Sequence, residues 1–125
     1  MKIPDNYQTV MPYLIIKGAL NFIAFTQKVF GGIENEKHRS MRTGDIVQHA
    51  EITIGGCTIM FADSTENFPP RTTGLFIYVE NADTTYSKAI VEGATSISEL
   101  SDQPYGRSVG IEDPFGNTWW ITSVK

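Results

Sequence analysis

The stretch Asp113-Pro-Phe-Gly-Asn-Thr-Trp-Trp-Ile-Thr122 places two adjacent tryptophans on a short β-run behind a turn. Successive side chains on a strand point to opposite faces, so Trp119 and Trp120 serve different surfaces. Trp119, in phase with Ile121, is expected to pack beneath a helix, and Trp120, in phase with Thr122, to face away from it. Pro114 sets φ early in the turn, and Gly116 or Asn117 can take the left-handed conformation that closes it. Upstream, Arg107-Ser-Val-Gly-Ile-Glu112 reads as the other arm of a hairpin.

A tighter hairpin lies earlier in the chain. There Val47–Ile54 and Cys57–Phe61 flank Gly55-Gly56, a pair that accepts the positive φ of a two-residue turn, and Gly116 lies 60 residues after Gly56. The correspondence extends to the start of each half. Tyr13-Leu-Ile-Ile-Lys-Gly-Ala19 and Phe76-Ile-Tyr-Val-Glu-Asn-Ala82 share a strand-then-helix pattern 63 residues apart. The first helix is expected over Ala19 to Phe30, with Phe22, Phe25 and Val29 at helical spacing and Gly31-Gly32 as its stop. The second starts at the capping residue Asn81, carries Ala82, Tyr86, Ala89 and Ile90, and stops at Gly93. The polar, proline-bearing stretch from Asp63 to Thr72 lacks periodicity and reads as a linker. The expected fold is α+β, with two βαβββ modules in tandem (about 9–62 and 73–124) forming one domain over residues 1–125.

Composition bounds the function. Hydrophobic residues make up 41% and charged residues 19%, and no apolar run approaches the ~20 residues a membrane helix requires. The opening MKIPDNYQTV lacks the apolar core of a secretory signal, so the expectation is a cytoplasmic protein without a membrane partner. Cys57 is the only cysteine, which excludes an intrachain disulfide and a thiolate-rich zinc site, and it is expected to be a small buried residue. With net charge −4 and basic residues scattered, nucleic acid is not an expected partner. Phosphate-binding loops, the G-x-S-x-G elbow and H-E-x-x-H are absent.

The paired modules, the segment His-Ala-Glu-Ile-Thr-Ile-Gly-Gly from His49 to Gly56, and the run from Asp102 to Ile121 resemble the vicinal oxygen chelate superfamily. Within it they are similar to the PhnB-like branch of glyoxalase and bleomycin-resistance proteins. The resemblance implies curved half-barrel sheets whose concave faces form a cavity, in a homodimer whose modules pair within a chain or across it. Reaction does not follow from fold, because this superfamily holds isomerases, dioxygenases, thiol transferases and drug-binding proteins. Catalytic members place metal ligands on the first and last strands of each module, which the resemblance puts at Met11, Gly74, Met60 and Trp120 here. Thioether, indole and a side chain of one hydrogen do not bind hard divalent cations usefully, so no metal and no cofactor are expected.

Alternation then places Met11, Tyr13, Ile15, His49, Glu51, Thr58, Met60, Phe76, Tyr78, Trp120 and Thr122 on the concave face. Aromatic and thioether groups with a few polar ones suit a small, partly aromatic ligand, and stacking on tryptophan or tyrosine suits a cationic one. His49 and Glu51, on one face of one strand, are the candidate acid–base pair if the protein is an enzyme, with pocket binding or a structural role as the other readings. His38, amid Glu34, Glu36, Lys37 and Arg39, reads as part of a solvated edge. Arg107 is a candidate for an anionic ligand group, or for a salt bridge to Glu112, Asp113 or a partner chain. The leading expectation is therefore a binding protein that sequesters a small organic molecule. The alternatives are a metal-dependent lyase, isomerase or dioxygenase with displaced ligands, and a structural or regulatory dimer.

Overall fold

A computed structural model describes all residues, Met1 to Lys125. It divides into two compact units, Met1–Gln27 with Gly31–Arg71, and Lys28–Phe30 with Thr72–Lys125. In the first unit β1 (Tyr13–Ile16) leads into α1 (Ala19–Phe30), whose last turn belongs with the second unit. Then follow β2 (Ile33–Glu34), a 3₁₀ turn (Glu36–His38), β3 (Ser40–Met41), β4 (Val47–Ile54) and β5 (Cys57–Asp63). The sheet order is β1-β5-β4-β2, with β3 also on β4; β1 runs parallel to β5, and β4 and β5 are antiparallel. Gly55 and Gly56 take φ of 54° and 82°, which makes the expected tight hairpin between Ile54 and Cys57.

The second unit repeats the plan. β6 (Gly74–Tyr78) precedes α2 (Ala82–Val91), followed by β7 (Thr95–Ser96), β8 (Ser101–Gln103), β9 (Gly106–Glu112) and β10 (Thr118–Val124), in the sheet order β6-β10-β9-β7 with β8 on β9. Asn81 caps α2, its side chain accepting from the Thr84 amide, while Gly93 takes φ 103° beyond the helix end. The α2 residues that reach the core are Ala82, Thr85 and Ala89; Ile90, expected on the packed stripe, is exposed because that helix buries only a narrow small-residue face.

Each module has a buried aspartate that ties its segments together, Asp63 at the start of α1 and Asp113 at the turn into β10. Asp63, 8% exposed, accepts through Oδ1 from the Gly18 and Ala19 amides at the start of α1 and through Oδ2 from the Val47 amide. It supplies from a distance the N-terminal acceptor that Gly18, without a side chain, cannot. Asp113, 3% exposed, accepts from the Phe115 and Asn117 amides at 2.8 and 2.9 Å, from Asn117 Nδ2 at 3.0 Å and from the Trp119 indole N–H at 2.8 Å. Gly116 takes the left-handed conformation of the turn at φ 90°, leaving Asn117 free to be buried.

Trp119 is 1% exposed and its ring meets Phe30 at a centroid distance of 4.5 Å. In the first unit the corresponding inner layer holds Leu14, Ile16, Ile52 and Phe61, with Phe61 edge-on to Phe22 of α1. Cys57 departs from expectation. It is exposed, because it is the first residue after the glycine turn and precedes the packed part of β5.

Replacing Asp113 by Ala strands at least three buried N–H groups and is expected to lower stability by about 3 kcal/mol. Denaturant unfolding followed by tryptophan emission checks it, with a red shift expected as Trp119 loses its seat; an unchanged midpoint would contradict the role given to this carboxylate.

Candidate functional site

The outer face of the first sheet carries a row of paired positions, Tyr13 on β1, Met60 on β5 and Glu51 on β4. Met11 precedes β1, so Tyr13 rather than Met11 is the residue level with Met60. Glu51 lies in the phase expected for this face yet is 3% exposed. An N-terminal segment covers it: Gln8 Nε2 donates to the Thr58 carbonyl at 2.8 Å, Thr58 Oγ1 donates to the Asn6 carbonyl, and the Tyr7 hydroxyl then sits 2.7 and 2.8 Å from the two Glu51 oxygens. That cover also buries Thr58.

A carboxylate placed between the core residues Ala50 and Ile52 must recruit donors, because burying an unpaired charge is costly. Here it recruits several. His49 Nε2 lies 2.9 Å from Oε2, His38 Nδ1 lies 3.2 Å from Oε1, and Asn35 Nδ2 reaches Oε1 at 3.4 Å. Burial pushes the Glu51 carboxyl up, but hydrogen bonds from His49, Tyr7 and His38, with the His38 charge, outweigh it and hold the group below its ordinary value. Burial together with the Glu51 charge raises the phenols of both Tyr7 and Tyr13. Outward from Glu51, the other nitrogen of His49 meets the Tyr13 hydroxyl at 2.9 Å, and the two rings stack obliquely with centroids 5.6 Å apart. Tyr13 is 48% exposed, so the chain of contacts runs from a buried carboxylate to an accessible hydroxyl.

The second sheet offers a different surface. Its corresponding row is Phe76 on β6, Trp120 on β10 and Gly110 on β9. Trp120 is 42% exposed, Phe76 50% and Tyr78 63%, and the rings of Phe76 and Tyr78 meet edge to face at 5.1 Å. Gly110 has no side chain because the Trp120 indole occupies that place; a Cβ there would collide with the ring and with Ile97. Thr122, in phase with Trp120, is fully buried and shares a 2.8 Å hydroxyl contact with Ser108.

Arg107 does not join this aromatic face. Its register partner is Ser123, which puts it in phase with Val109, Ile111, Trp119 and Ile121 on the helix side of the sheet. There its guanidinium donates to Asp83 of α2 at 2.6 and 3.1 Å and to Asp102 at 3.3 Å, rather than to Glu112 or Asp113. Hydrogen bonds to Asp83 and Asp102 raise the guanidinium, and the guanidinium in turn lowers the Asp83 carboxyl.

His38 is the other departure. Composition suggested a solvated edge, but the 3₁₀ turn folds its ring back onto Glu51. Tyr7 and Asn35, which the sequence did not single out, complete the same cluster. The available signal was Glu51 itself, a carboxylate at a core-flanked strand position whose donors had to come from somewhere.

The donor set does not fit a divalent cation. Met11, Gly74, Met60 and Trp120 bring no carboxylate, imidazole or amide, and the imidazoles near Glu51 aim at its oxygens rather than at a shared point.

Because the folded Glu51 pKa is depressed, its stabilisation is fully present above the unfolded value of about 4.3 and is lost as pH falls through the folded value. Glu51→Gln is expected to cost about 2 kcal/mol at neutral pH, the worth of hydrogen bonds to a buried charge. The gap from the parent protein narrows below that pH window; urea unfolding across acid pH measures it, and a gap independent of pH would contradict the assignment.

Residues 16–121 match the Glyoxalase/Bleomycin resistance protein/Dioxygenase superfamily. The chain is 28% identical over 120 residues to the uncharacterized protein Mb0911c of Mycobacterium bovis, covering 86% of this chain and 78% of that protein. Its structure is similar to the PhnB protein from Bacillus cereus, with a TM-score of 0.71 and 20% identity over 94% of this chain and 100% of that one. It is also similar to TnmS3, an antibiotic binding protein from Streptomyces sp. CB03234, with a TM-score of 0.71 and 16% identity over 100% and 99% of the two chains. Identities this low among solved structures speak for the fold, and the match over most of the sequence for the lineage. With two tandem modules of one helix and five strands each, the chain belongs to the glyoxalase/bleomycin resistance protein/dioxygenase superfamily.

Proposed function

We propose that this protein binds a small, planar, partly aromatic or cationic organic molecule on its open sheet faces, as a cytoplasmic homodimer. The carrying observation is the exposure of Phe76, Tyr78 and Trp120 together on one face of the second sheet, with Gly110 making room for the indole. Contiguous exposed aromatic surface is costly to leave in water and marks sites of recognition. Tyr13 gives the first sheet an accessible aromatic of its own beside polar groups that can orient a ligand. An acidic chain with net charge −4 and exposed rings suits a cation stacked on an aromatic face. The similar structure of TnmS3, an antibiotic binding protein, supports the reading that such a fold holds a small organic molecule. The unpaired, exposed Cys57 accords with a reducing compartment.

Trp119 is buried and Trp120 is half-exposed, so added ligand reports through Trp120. Titration with planar aromatic amines is expected to quench and shift the emission of the parent protein, with the response absent in Trp120→Ala. Replacing Trp120 is expected to cost about 1 kcal/mol of binding, the worth of one stacking contact. If no aromatic or cationic compound perturbs the emission of the parent protein, the binding reading fails; sedimentation equilibrium tests the dimer separately.

A further inference from the structure

We infer that Tyr13, His49 and Glu51 form a proton relay that opens at the Tyr13 hydroxyl and removes a proton from a small, planar carbon acid held against the first sheet. This goes beyond holding a ligand, and it rests on the Tyr13 face being open to one.

The argument starts from the buried end. Glu51 is 3% exposed and its oxygens accept from Tyr7, from His38 and from His49 Nε2. An ionised carboxylate only accepts, so Nε2 carries its hydrogen and the tautomer is fixed. Nδ1 of His49 is therefore the free basic nitrogen, and it lies 2.9 Å from the Tyr13 hydroxyl. That is the order of groups in a relay: an accessible hydroxyl, an imidazole within hydrogen-bond reach, and a buried carboxylate that orients the ring and stabilises its charged form. Each position has a reason in the fold. Tyr13 and Glu51 are level across β5 through Met60, and His49 is two residues from Glu51 on β4, so strand alternation puts all three side chains on one face.

The charged and titratable groups around the relay are Tyr7 from the N-terminal segment and His38 from the 3₁₀ turn; Ser40 of β3 lies across from His49. His38 contacts Oε1 of Glu51, while the Tyr7 hydroxyl bridges both oxygens and shares Oε2 with His49. The Tyr13 phenol is held in its protonated form by burial and by the Glu51 charge, so it hands its proton to His49 only as it gains one from outside. In the step, the C–H proton of the substrate moves to the Tyr13 oxygen while the phenolic proton moves to His49 Nδ1. The products are a substrate carbanion, neutral Tyr13 and an imidazolium paired with Glu51. Returning that proton through Tyr13 gives isomerisation; losing it to water resets the site.

Nitrobenzisoxazole is the probe, a planar aromatic carbon acid. When its ring C–H proton leaves, the electron pair forms the nitrile and the N–O bond breaks to a coloured phenolate, so no further reactant is needed. The parent protein is expected to open the ring at least about a hundredfold faster than an equimolar mixture of imidazole and p-cresol. Tyr13→Phe, a substitution at an accessible hydroxyl, is expected to remove most of that acceleration, and His49→Gln to remove it as well, with circular dichroism confirming that each variant is folded. A rate no greater than that of the mixture overturns the relay, whether or not compounds quench Trp120. Variants that keep the parent rate overturn it as well. Failure of the Trp120 titration with turnover intact would instead sink the binding reading on the second sheet and leave the relay standing.

Discussion

The carboxylate of Asp113 decides what the second module presents to the outside. By holding two turn amides, the Asn117 amide group and the Trp119 indole at once, it fixes where β10 begins. A strand has a period of two, so a slip of one residue would bring Trp120 under the helix and Trp119 into water. The anchored turn forbids that slip. From this one constraint follow the packing of Trp119 on Phe30, the pairing of Trp120 with Phe76 and the room reserved at Gly110. The first module reaches the same end by a different aspartate, Asp63, which ties the last strand to the start of α1 and to β4.

Much of this was readable from local chemistry. The helix bounds Ala19 to Phe30, the Gly55-Gly56 hairpin and the opposite facing of the two tryptophans follow from spacing, punctuation and alternation, and the structure has all three. The site was legible only along strands. Alternation placed Tyr13, His49 and Glu51 on one face, because their relation depends on a period and a pairing register. It could not supply Tyr7 and Asn35, which come from segments with no periodicity, nor turn His38 inward, because that depends on a 3₁₀ turn closing over β4. Arg107 was misplaced for the opposite reason. Its motif drew attention to an anion site, while its phase on β9 already put it on the helix side with Asp83.

The two modules share a plan and differ in chemistry at matched places. Where β4 holds Glu51 level with Met60, β9 holds Gly110 level with Trp120. One face ends in a hydrogen-bonded carboxylate, and the other in stacked hydrocarbon. The first offers hydrogen-bonding groups; the second offers rings that stack and exclude water.

Gly110 has a consequence for anyone who would alter this protein's selectivity. The glycine and the indole fill one volume between them, so positions 110 and 120 are not independent variables. A collection of variants that randomises residue 120 with glycine kept explores ring size alone, and one that randomises residue 110 with tryptophan kept returns mostly strained proteins. Coupled changes, a smaller residue at 120 and at 97 with alanine at 110, open a route to a new surface shape that no single change reaches.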